Sequence, residues 1–346
     1  MSDIGIGQRE RVSDPTPGPG EVIIAPTYSG LCGTDVHMFN EGALTRHEAL
    51  PVIMGHEFVG TIVALGDTDQ RRRDIDNPVR IGDNVAVEPM LPCGLCAQCV
   101  RGRLNLCANW SHLGILENGC WADYVRVPMA RLTTLPEGVS PYAAALAEPL
   151  ACAVNFVVHR GQLTVGESVL ILGAGPVGLL SISMAKAAGA GLIIVSEPHE
   201  NRRRAARNMG ADIAIDPLSN DLADLVRTAT RGSGIDLIVE ATGSKTAVAQ
   251  SITVAKPGSR IVLSGLGAAG TTPLDVNAVV TKELTVLGGF ASRWAMKTGL
   301  SAIAAGHVKT DQLVTSIRNW SDAELAMQDM LTDPDTCKIL FQHTAH

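Results

Sequence analysis

The pattern of apolar and polar residues changes near residue 165. Upstream, from residue 20 to about 150, short apolar segments such as Glu21–Ala25 and Phe58–Ala64 are separated by turns rich in Gly and Pro. This pattern is typical of β-strands joined by irregular turns. Downstream, short apolar runs alternate with stretches compatible with helices, which predicts a doubly wound parallel sheet. We therefore expect an α/β protein with an irregular β domain and a parallel-sheet domain.

The downstream pattern places individual elements. The predicted strands are Val169–Leu172, Leu192–Val195, Ile213–Ile215, Leu237–Glu240, Arg260–Leu263 and Thr285–Leu287. Helices are predicted over Glu200–Met209 and Leu222–Thr230, and an apolar strand over Lys338–Phe341. The uncharged run Ser168–Ala185 approaches the length of a membrane span. Three glycines and a proline lie in its middle, so it is predicted to be a strand, a turn and a buried helix.

Composition and charge narrow the function classes. The 346 residues are 46% hydrophobic and 18% charged, which excludes disorder, and the formal charge is 28 − 35 = −7. An acidic chain disfavours a nucleic-acid partner, so the arginine-containing stretch Gln70–Arg80 is interpreted as a surface loop. The charged first 15 residues predict no secretory signal, and eight cysteines then favour metal or catalytic thiols over disulfides. We expect a cytoplasmic protein with no membrane partner.

A glycine-rich turn follows the strand that begins the downstream pattern. Its residues are Gly173, Gly175, Pro176, Val177 and Gly178. The first glycine permits a tight turn, the second admits a pyrophosphate close to the backbone, and the third lets the helix pack on the strand. The N-terminus of that helix offers free N–H groups to phosphates. A strand, this turn and a helix together predict a dinucleotide site.

Glu197 bears on the choice of dinucleotide. It ends the next predicted strand, nineteen residues after Gly178. A carboxylate there accepts hydrogen bonds from ribose hydroxyls and repels a 2′-phosphate, which favours NAD over NADP. Arg202, Arg203 and Arg204 follow closely, either as surface residues of a helix or as groups that soften this preference. We include Arg202 among the candidate cofactor-binding residues.

Four cysteines within fifteen residues predict a metal site. They are Cys93, Cys96, Cys99 and Cys107. Four thiolates close a tetrahedral zinc site and leave no position for a substrate, so the role is structural. An iron–sulfur cluster is the alternative, because similar spacings ligate clusters. We expect the segment that carries them, which we call the four-cysteine lobe, to span about residues 90–110.

A second set of metal ligands is dispersed. Cys32, Thr34 and His37 lie within one short motif, His56 and Glu57 within another, and Glu148 just ahead of the parallel-sheet pattern. Each residue alone is also consistent with a turn or a core position. Together, a thiol, imidazoles and carboxylates ahead of a dinucleotide motif suggest a catalytic zinc with an open position.

These motifs resemble the zinc-dependent medium-chain alcohol dehydrogenase family. The resemblance is carried by GHEFVG at residues 55–60, CGTDVH at 32–37, the four-cysteine lobe and GAGPVG at 173–178, in the family's order. It implies a GroES-like catalytic domain over residues 1–151 and 289–346, and a Rossmann cofactor domain over 152–288. It also implies two zinc ions per chain, one catalytic and one structural, together with NAD.

The resemblance assigns roles to the second set. Cys32 and His56 match two catalytic zinc ligands. Glu148 lies where liver-type alcohol dehydrogenases have a second ligand cysteine, and a carboxylate there resembles the sorbitol, threonine and butanediol dehydrogenase branch. Either Glu57 or Glu148 then completes the zinc site, and Glu148 is also a candidate catalytic residue. Thr34 and His37 match the hydroxyl and imidazole that relay the proton outward.

The implied chemistry is oxidation of a secondary alcohol to a ketone by hydride transfer. We expect a small-molecule alcohol as substrate: a polyol, a sugar alcohol or a vicinal diol. An amino alcohol of the L-threonine type is the first alternative, and a non-catalytic zinc- and NAD-binding protein is an alternative from another class. The resemblance also implies a homo-oligomer, namely a tetramer.

Overall fold

The computed structural model describes residues 5, 7, 9–42, 44, 46–67, 79–266 and 271–344. Most of the predicted loop 70–80 and the first four residues lie outside this range. The strands are β1 Glu21–Gly30, β2 Glu57–Leu65, β3 Asn84–Val87, β4 Met90–Leu91, β5 Ser111–His112, β6 Val125–Pro128, β7 Leu132–Thr134, β8 Ser168–Leu172, β9 Leu192–Ser196, β10 Ile213–Ile215, β11 Ile235–Glu240, β12 Ala255–Leu263, β13 Thr285–Gly288, β14 Val314–Asn319 and β15 Lys338–Gln342.

The α-helices connect these strands. They are α1 Gly33–Glu41, α2 Ala97–Val100, α3 Pro141–Ala144, α4 Ala147–Val154, α5 Pro176–Ala187, α6 Glu200–Met209, α7 Leu222–Ala229, α8 Lys245–Val254, α9 Val276–Thr281, α10 Met296–Ala304 and α11 Ala323–Thr332. A π-helical turn, Asn155–Arg160, continues α4. None of the described helices combines the length and the apolarity that crossing a membrane requires.

The chain divides into two compact units. The first comprises residues 1–148, 299–304 and 314–346, and the second comprises residues 149–298 and 305–313. The sequence-based division instead assigns residues 152–288 to the cofactor domain. The second unit thus begins inside α4 and extends beyond β13.

The first unit contains a mainly antiparallel sheet. Its strand order is β14–β15–β1–β2–β3–β7, with β6 also paired to β1. Gly30, at the end of β1, pairs with Glu57 at the start of β2 and with Leu340 in the middle of β15. Apolar residues on one face, including Ile24, Phe58 and Phe341, form its core. Segments from three distant parts of the chain therefore meet at one place.

The second unit contains a six-stranded parallel sheet in the order β10–β9–β8–β11–β12–β13. Every strand and both helices predicted for this region are present. Their ends differ from the predicted ends by at most two residues, except that β12 begins five residues earlier than predicted. The doubly wound sheet is thus confirmed. The uncharged run that resembles a membrane span is the buried strand β8 followed by helix α5, as predicted.

Candidate active site

The four cysteines of the lobe converge in the structure. Neighbouring sulfur atoms are separated by 3.5 Å for Cys96–Cys99, 3.9 Å for Cys96–Cys107 and 3.5 Å for Cys93–Cys107. Four thiolates about 2.3 Å from one zinc ion lie about 3.8 Å apart in a tetrahedron, so the cage fits a single ion. A multi-iron cluster holds its cysteines on separate irons and requires a wider cage. The geometry supports the zinc interpretation.

The lobe also stabilises thiolates through its backbone. The N–H groups of Cys93 and Asn109 donate to the sulfur of Cys107 over 3.2 and 3.3 Å. The pKa of Cys96 is lowered to about 6, and the hydrogen bond from the backbone N–H of Ala108 makes the largest contribution. Metal ligation requires the thiolate form, so these donors favour metal binding.

A second potential metal-binding group forms where these three segments of the first unit meet. One ligand atom each from Cys32, His56 and Glu57 lies within 4.8 Å of the other two. Cys32 is the N-cap of α1, and His56 and Glu57 flank the start of β2. The antiparallel pairing of β1 with β2 brings the two motifs together. A thiolate, an imidazole and a carboxylate at this separation fit a zinc ion with an open fourth position.

Asp35 orients the imidazole of this group. It is 1% exposed, and its two oxygens accept hydrogen bonds from the backbone N–H of Cys32 (3.0 Å) and from Nδ1 of His56 (3.1 Å). With Nδ1 bonded to a carboxylate, Nε2 of His56 is left to ligate a metal. Burial lowers the pKa of His56, but the charge of Asp35 and its hydrogen bond raise the pKa by more, to well above its ordinary value.

Lys338 is the counter-ion of Glu57. Its ammonium group contacts Oε2 of Glu57 and donates to the carbonyl of Leu31 over 2.9 Å, and both charged side chains are almost fully buried. Burial lowers the pKa of Lys338, but Glu57 and Cys32 raise it by more. Because a buried carboxylate is costly without a partner, Lys338 stabilises Glu57 as an anion beside the metal site.

Glu148 lies near this group but is not part of it. It is in the first turn of α4, and its carboxylate does not join the three ligand atoms that converge within 4.8 Å. Burial and then the charge of Glu57 raise the pKa of Glu148 to about 8. The charge of Glu88 also raises this pKa, whereas the charges of His56 and Lys338 lower it. The structure therefore assembles Glu57, rather than Glu148, with Cys32 and His56.

The predicted proton relay lies on α1. The backbone N–H of Thr34 is 3.5 Å from the sulfur of Cys32, and His37 follows three residues later on the same helix. The side chain of His37 is 56% exposed, with Nδ1 3.4 Å from Glu41. Residues three apart on a helix are neighbours, so Thr34 and the exposed His37 share one face of α1.

The glycine turn of the second unit has the geometry of a dinucleotide site. Gly173 has φ = +95°, which disfavours side chains, and a Cβ at Gly178 would lie 2.0 Å from the carbonyl oxygen of Gly173. By contrast, a Cβ at Gly175 would meet no atom within 4 Å. Pro176 and Val177 begin α5, whose N-terminal N–H groups are available to phosphate. These residues fit the pyrophosphate of a dinucleotide.

The second and third glycines of this turn make a matched test. Gly175→Ala is expected to leave the melting temperature nearly unchanged and to raise the Kd for NADH at least about tenfold, because the methyl group occupies the path of the pyrophosphate. Gly178→Ala should lower both stability and affinity, since its methyl group collides with backbone. Calorimetric titration and thermal unfolding measure the two effects. Unchanged NADH affinity in Gly175→Ala would contradict the assignment.

Glu197 follows β9, adjacent to the glycine turn. It is 3% exposed, and its oxygens accept from the backbone N–H groups of Ala174 (2.8 Å) and His199 (3.0 Å). These bonds fix the carboxylate beside the turn. Arg202 lies on α6 and is half-buried, whereas Arg203 binds the carbonyl oxygens of Glu197 and Pro198.

Sequence reasoning missed three residues of the metal-site region. The only sequence feature that could have pointed to Asp35 is its place in the CGTDVH motif. For Lys338, the only such feature is a charged residue at the start of an apolar strand. No motif marks His112, whose ring lies edge-on to that of His56 with 5.4 Å between centroids. Its Nδ1 is 2.7 Å from the carbonyl of Leu113. Burial, and then the charge of His56, lowers the pKa of His112 to about 3.

The chain is similar to known proteins over most of its length. Two family models match it, one described as an alcohol dehydrogenase GroES-like domain over residues 18–137 and one as a zinc-binding dehydrogenase over residues 176–305. The L-threonine 3-dehydrogenase of Pyrococcus furiosus is 36% identical over 336 residues, which cover 95% of this chain and 93% of the relative.

Two further similarities concern other alcohols. The sorbitol dehydrogenase of Bacillus subtilis is 31% identical over 319 residues, which cover 92% of this chain and 88% of the relative. The crystal structure of 2R,3R-butanediol dehydrogenase from Bacillus subtilis superposes with a TM-score of 0.86 at 30% identity and covers 97% of this chain and 96% of that chain.

Proposed function

Since the chain belongs to the zinc-dependent medium-chain alcohol dehydrogenase family, we propose that it oxidises the secondary hydroxyl of a polyol, a sugar alcohol or a vicinal diol to a ketone with NAD. Membership makes it an oxidoreductase acting on CH–OH groups with zinc and a nicotinamide cofactor. The proposal adds the substrate class, the preference for NAD and two zinc ions per chain. The observation that carries it is the convergence of Cys32, His56 and Glu57.

Each part of the chain has a defined task in this reaction. When bound, zinc supplies a Lewis acid at the substrate oxygen and the nicotinamide supplies a hydride acceptor. Cys32, His56 and Glu57 hold the zinc, and Asp35 orients His56. Thr34 and His37 carry the alcohol proton toward solvent along α1. Glu148 lies beside the group without ligating.

The charges around the site favour a neutral substrate. Glu57, Glu88, His56 and Lys338 are among the groups whose charges shift the pKa of Glu148. Lys338 is already paired with Glu57, so among these groups a substrate carboxylate meets no free lysine. A polyol or diol brings hydroxyl groups, which pair with carboxylates without adding charge.

NAD and zinc stoichiometry have separate support. The buried carboxylate of Glu197 beside the glycine turn disfavours the 2′-phosphate of NADP. The two thiol-containing groups are distinct and each fits one zinc ion, one with four thiols and one with an open position. We also propose a cytoplasmic homo-oligomer, a tetramer by family resemblance, without nucleic-acid or membrane partners.

An L-threonine 3-dehydrogenase activity is the second candidate. It is favoured by the 36% identity to the Pyrococcus furiosus enzyme of that name. L-Threonine also has a secondary hydroxyl, but it carries an ammonium and a carboxylate group that the site must accommodate.

A substrate panel decides between the two candidates. NAD reduction is followed with sorbitol, 2,3-butanediol, L-threonine and 2-propanol, and with NADP in place of NAD. We expect the highest kcat/KM for sorbitol or the diol, and at least about a tenfold preference for NAD, because Glu197 repels the extra phosphate. A higher value for L-threonine selects the second candidate. If none of the four compounds is oxidised, the family assignment still stands, but both proposed substrate classes are wrong.

A further inference from the structure

The loop that follows β13 has an unusual backbone. Ala291, Arg293 and Trp294 have φ values of 55°, 45° and 66°, in the left-handed region that side chains disfavour. Three such residues within four positions form a locally strained segment, which we call the 290–294 loop. Conformations of this kind persist only where the surrounding structure holds them.

A buried asparagine holds this loop. Asn155 is fully buried, and its amide Nδ2 donates to the carbonyl oxygens of Phe290 (3.3 Å) and Ala291 (2.8 Å). Both partners are acceptors only, which fixes the orientation of the amide. Its Oδ1 accepts no hydrogen bond from any part of the chain that the structure describes. An unpaired buried acceptor is costly, so an apolar side chain would serve better if packing were the only role.

The same π-helical turn contacts the loop's entry at two more points. Nε of Arg160 donates to the carbonyl of Gly288 over 3.0 Å. A Cβ on Gly289 would lie 2.7 Å from a ring carbon of Phe156. The turn is closed by a hydrogen bond of 2.8 Å from the N–H of Gly161 to the carbonyl of Phe156, five residues back. Such wide turns are rare and frequently lie at functional sites.

The position of the loop on the sheet indicates what it faces. A dinucleotide lies across the carboxyl ends of the strands in a doubly wound sheet, with its pyrophosphate at the first glycine turn. Here that turn follows β8, and Glu197 places the adenosine half beyond β9. The other half of the cofactor then extends over β11, β12 and β13. The 290–294 loop leaves the sheet at the end of β13, beside Gly288.

We propose that Asn155 is a positioning residue for the nicotinamide end of the cofactor. Its two hydrogen bonds keep the 290–294 loop in the strained conformation in which the loop backbone faces the nicotinamide. Asn155 acts through the loop and does not touch the reacting atoms. The inference rests on the nicotinamide cofactor of the proposed function, and not on the identity of the alcohol.

Comparing NADH with ADP-ribose tests this role. ADP-ribose contains every part of the cofactor except the nicotinamide, so it reports only on the glycine turn and the adenosine side. Asn155→Leu keeps the side-chain size and removes both donors. It should raise the Kd for NADH about tenfold, because the loop loses both hydrogen bonds that hold it, and leave the Kd for ADP-ribose within about twofold. Isothermal titration calorimetry measures both constants.

Other variants separate this role from general instability. Asn208→Leu, which removes an exposed asparagine bonded to Gln312 in the same unit, should change neither constant. If Asn155→Leu binds neither ligand, the deciding variant is Arg160→Met, which breaks only the exposed contact to Gly288. A rise in its Kd for NADH, with an unchanged Kd for ADP-ribose, supports the proposal. Equal but measurable weakening of both ligands in the deciding variant, or unchanged NADH binding, overturns it. Wild-type protein that binds ADP-ribose but not NADH would instead contradict the cofactor assignment.

Discussion

Replacing His56 with alanine is expected to lower kcat/KM by roughly 10³-fold or more and to reduce the zinc content from about two ions per chain to about one. His56 supplies one of the three converging ligand atoms, and Asp35 holds its ring for that purpose. The four-cysteine lobe has its own ligands and should keep its ion. Zinc is measured by mass spectrometry alongside NAD reduction on the best substrate of the panel.

The neighbouring His112 provides the matched control. His112→Phe changes a buried imidazole whose ring contacts that of His56 but which is not part of the converging group, so both zinc ions should remain. NADH binding should also be unchanged in His56→Ala, because the glycine turn belongs to the other unit. A His56→Ala protein that retains two zinc ions and full turnover would refute the catalytic site.

Replacing Lys338 with methionine is expected to cost about 3–5 kcal/mol of unfolding free energy when the catalytic zinc is absent, and clearly less when it is present. Without Lys338, the buried carboxylate of Glu57 has lost its counter-ion. A zinc ion bound by Cys32 and His56 compensates that charge directly. The comparison uses Lys338→Met alone and in the His56→Ala background, in which the lobe keeps its zinc.

Lys256→Met is the matched control for this cycle. Lys256 pairs with Asp236 over 2.8 Å but is half-exposed, so its loss should cost at most about 1 kcal/mol in either background. Chemical denaturation yields the free energies, and the difference between the two backgrounds isolates the coupling through zinc. If Lys338→Met costs the same amount in both backgrounds, Glu57 does not share its charge with the metal.

Local spacing explains which features the sequence could predict. The parallel strands were predicted because each is a short apolar run between turn and helix signals, and buried strands require that composition. The lobe was predicted because its four cysteines lie within fifteen residues, close enough for one loop to bring them around one ion. The glycine turn is likewise a continuous segment whose geometry follows from residues 173–178.

The ligand set, in contrast, depends on distances that the sequence leaves open. Glu57 and Glu148 were equivalent candidates, and the register of β1 on β2 assembles the first with Cys32 and His56 while Glu148 stays outside. Asp35 lies within the CGTDVH motif, but its hydrogen bond to His56 spans 21 residues of sequence and forms only when the tertiary structure brings the two residues together.

The sequence by itself determined the fold class, the family, the dinucleotide turn and the thiol lobe, because each is encoded by residues near one another in the chain. Only the tertiary structure decided which charges are buried together. Glu57 and Lys338 are 281 residues apart and meet because β15 pairs with β1, and Asn155 reaches Ala291 across 136 residues. The energetic effect of a buried charge or amide depends on its partners and on how deeply it is buried, and both depend on contacts between residues far apart in sequence.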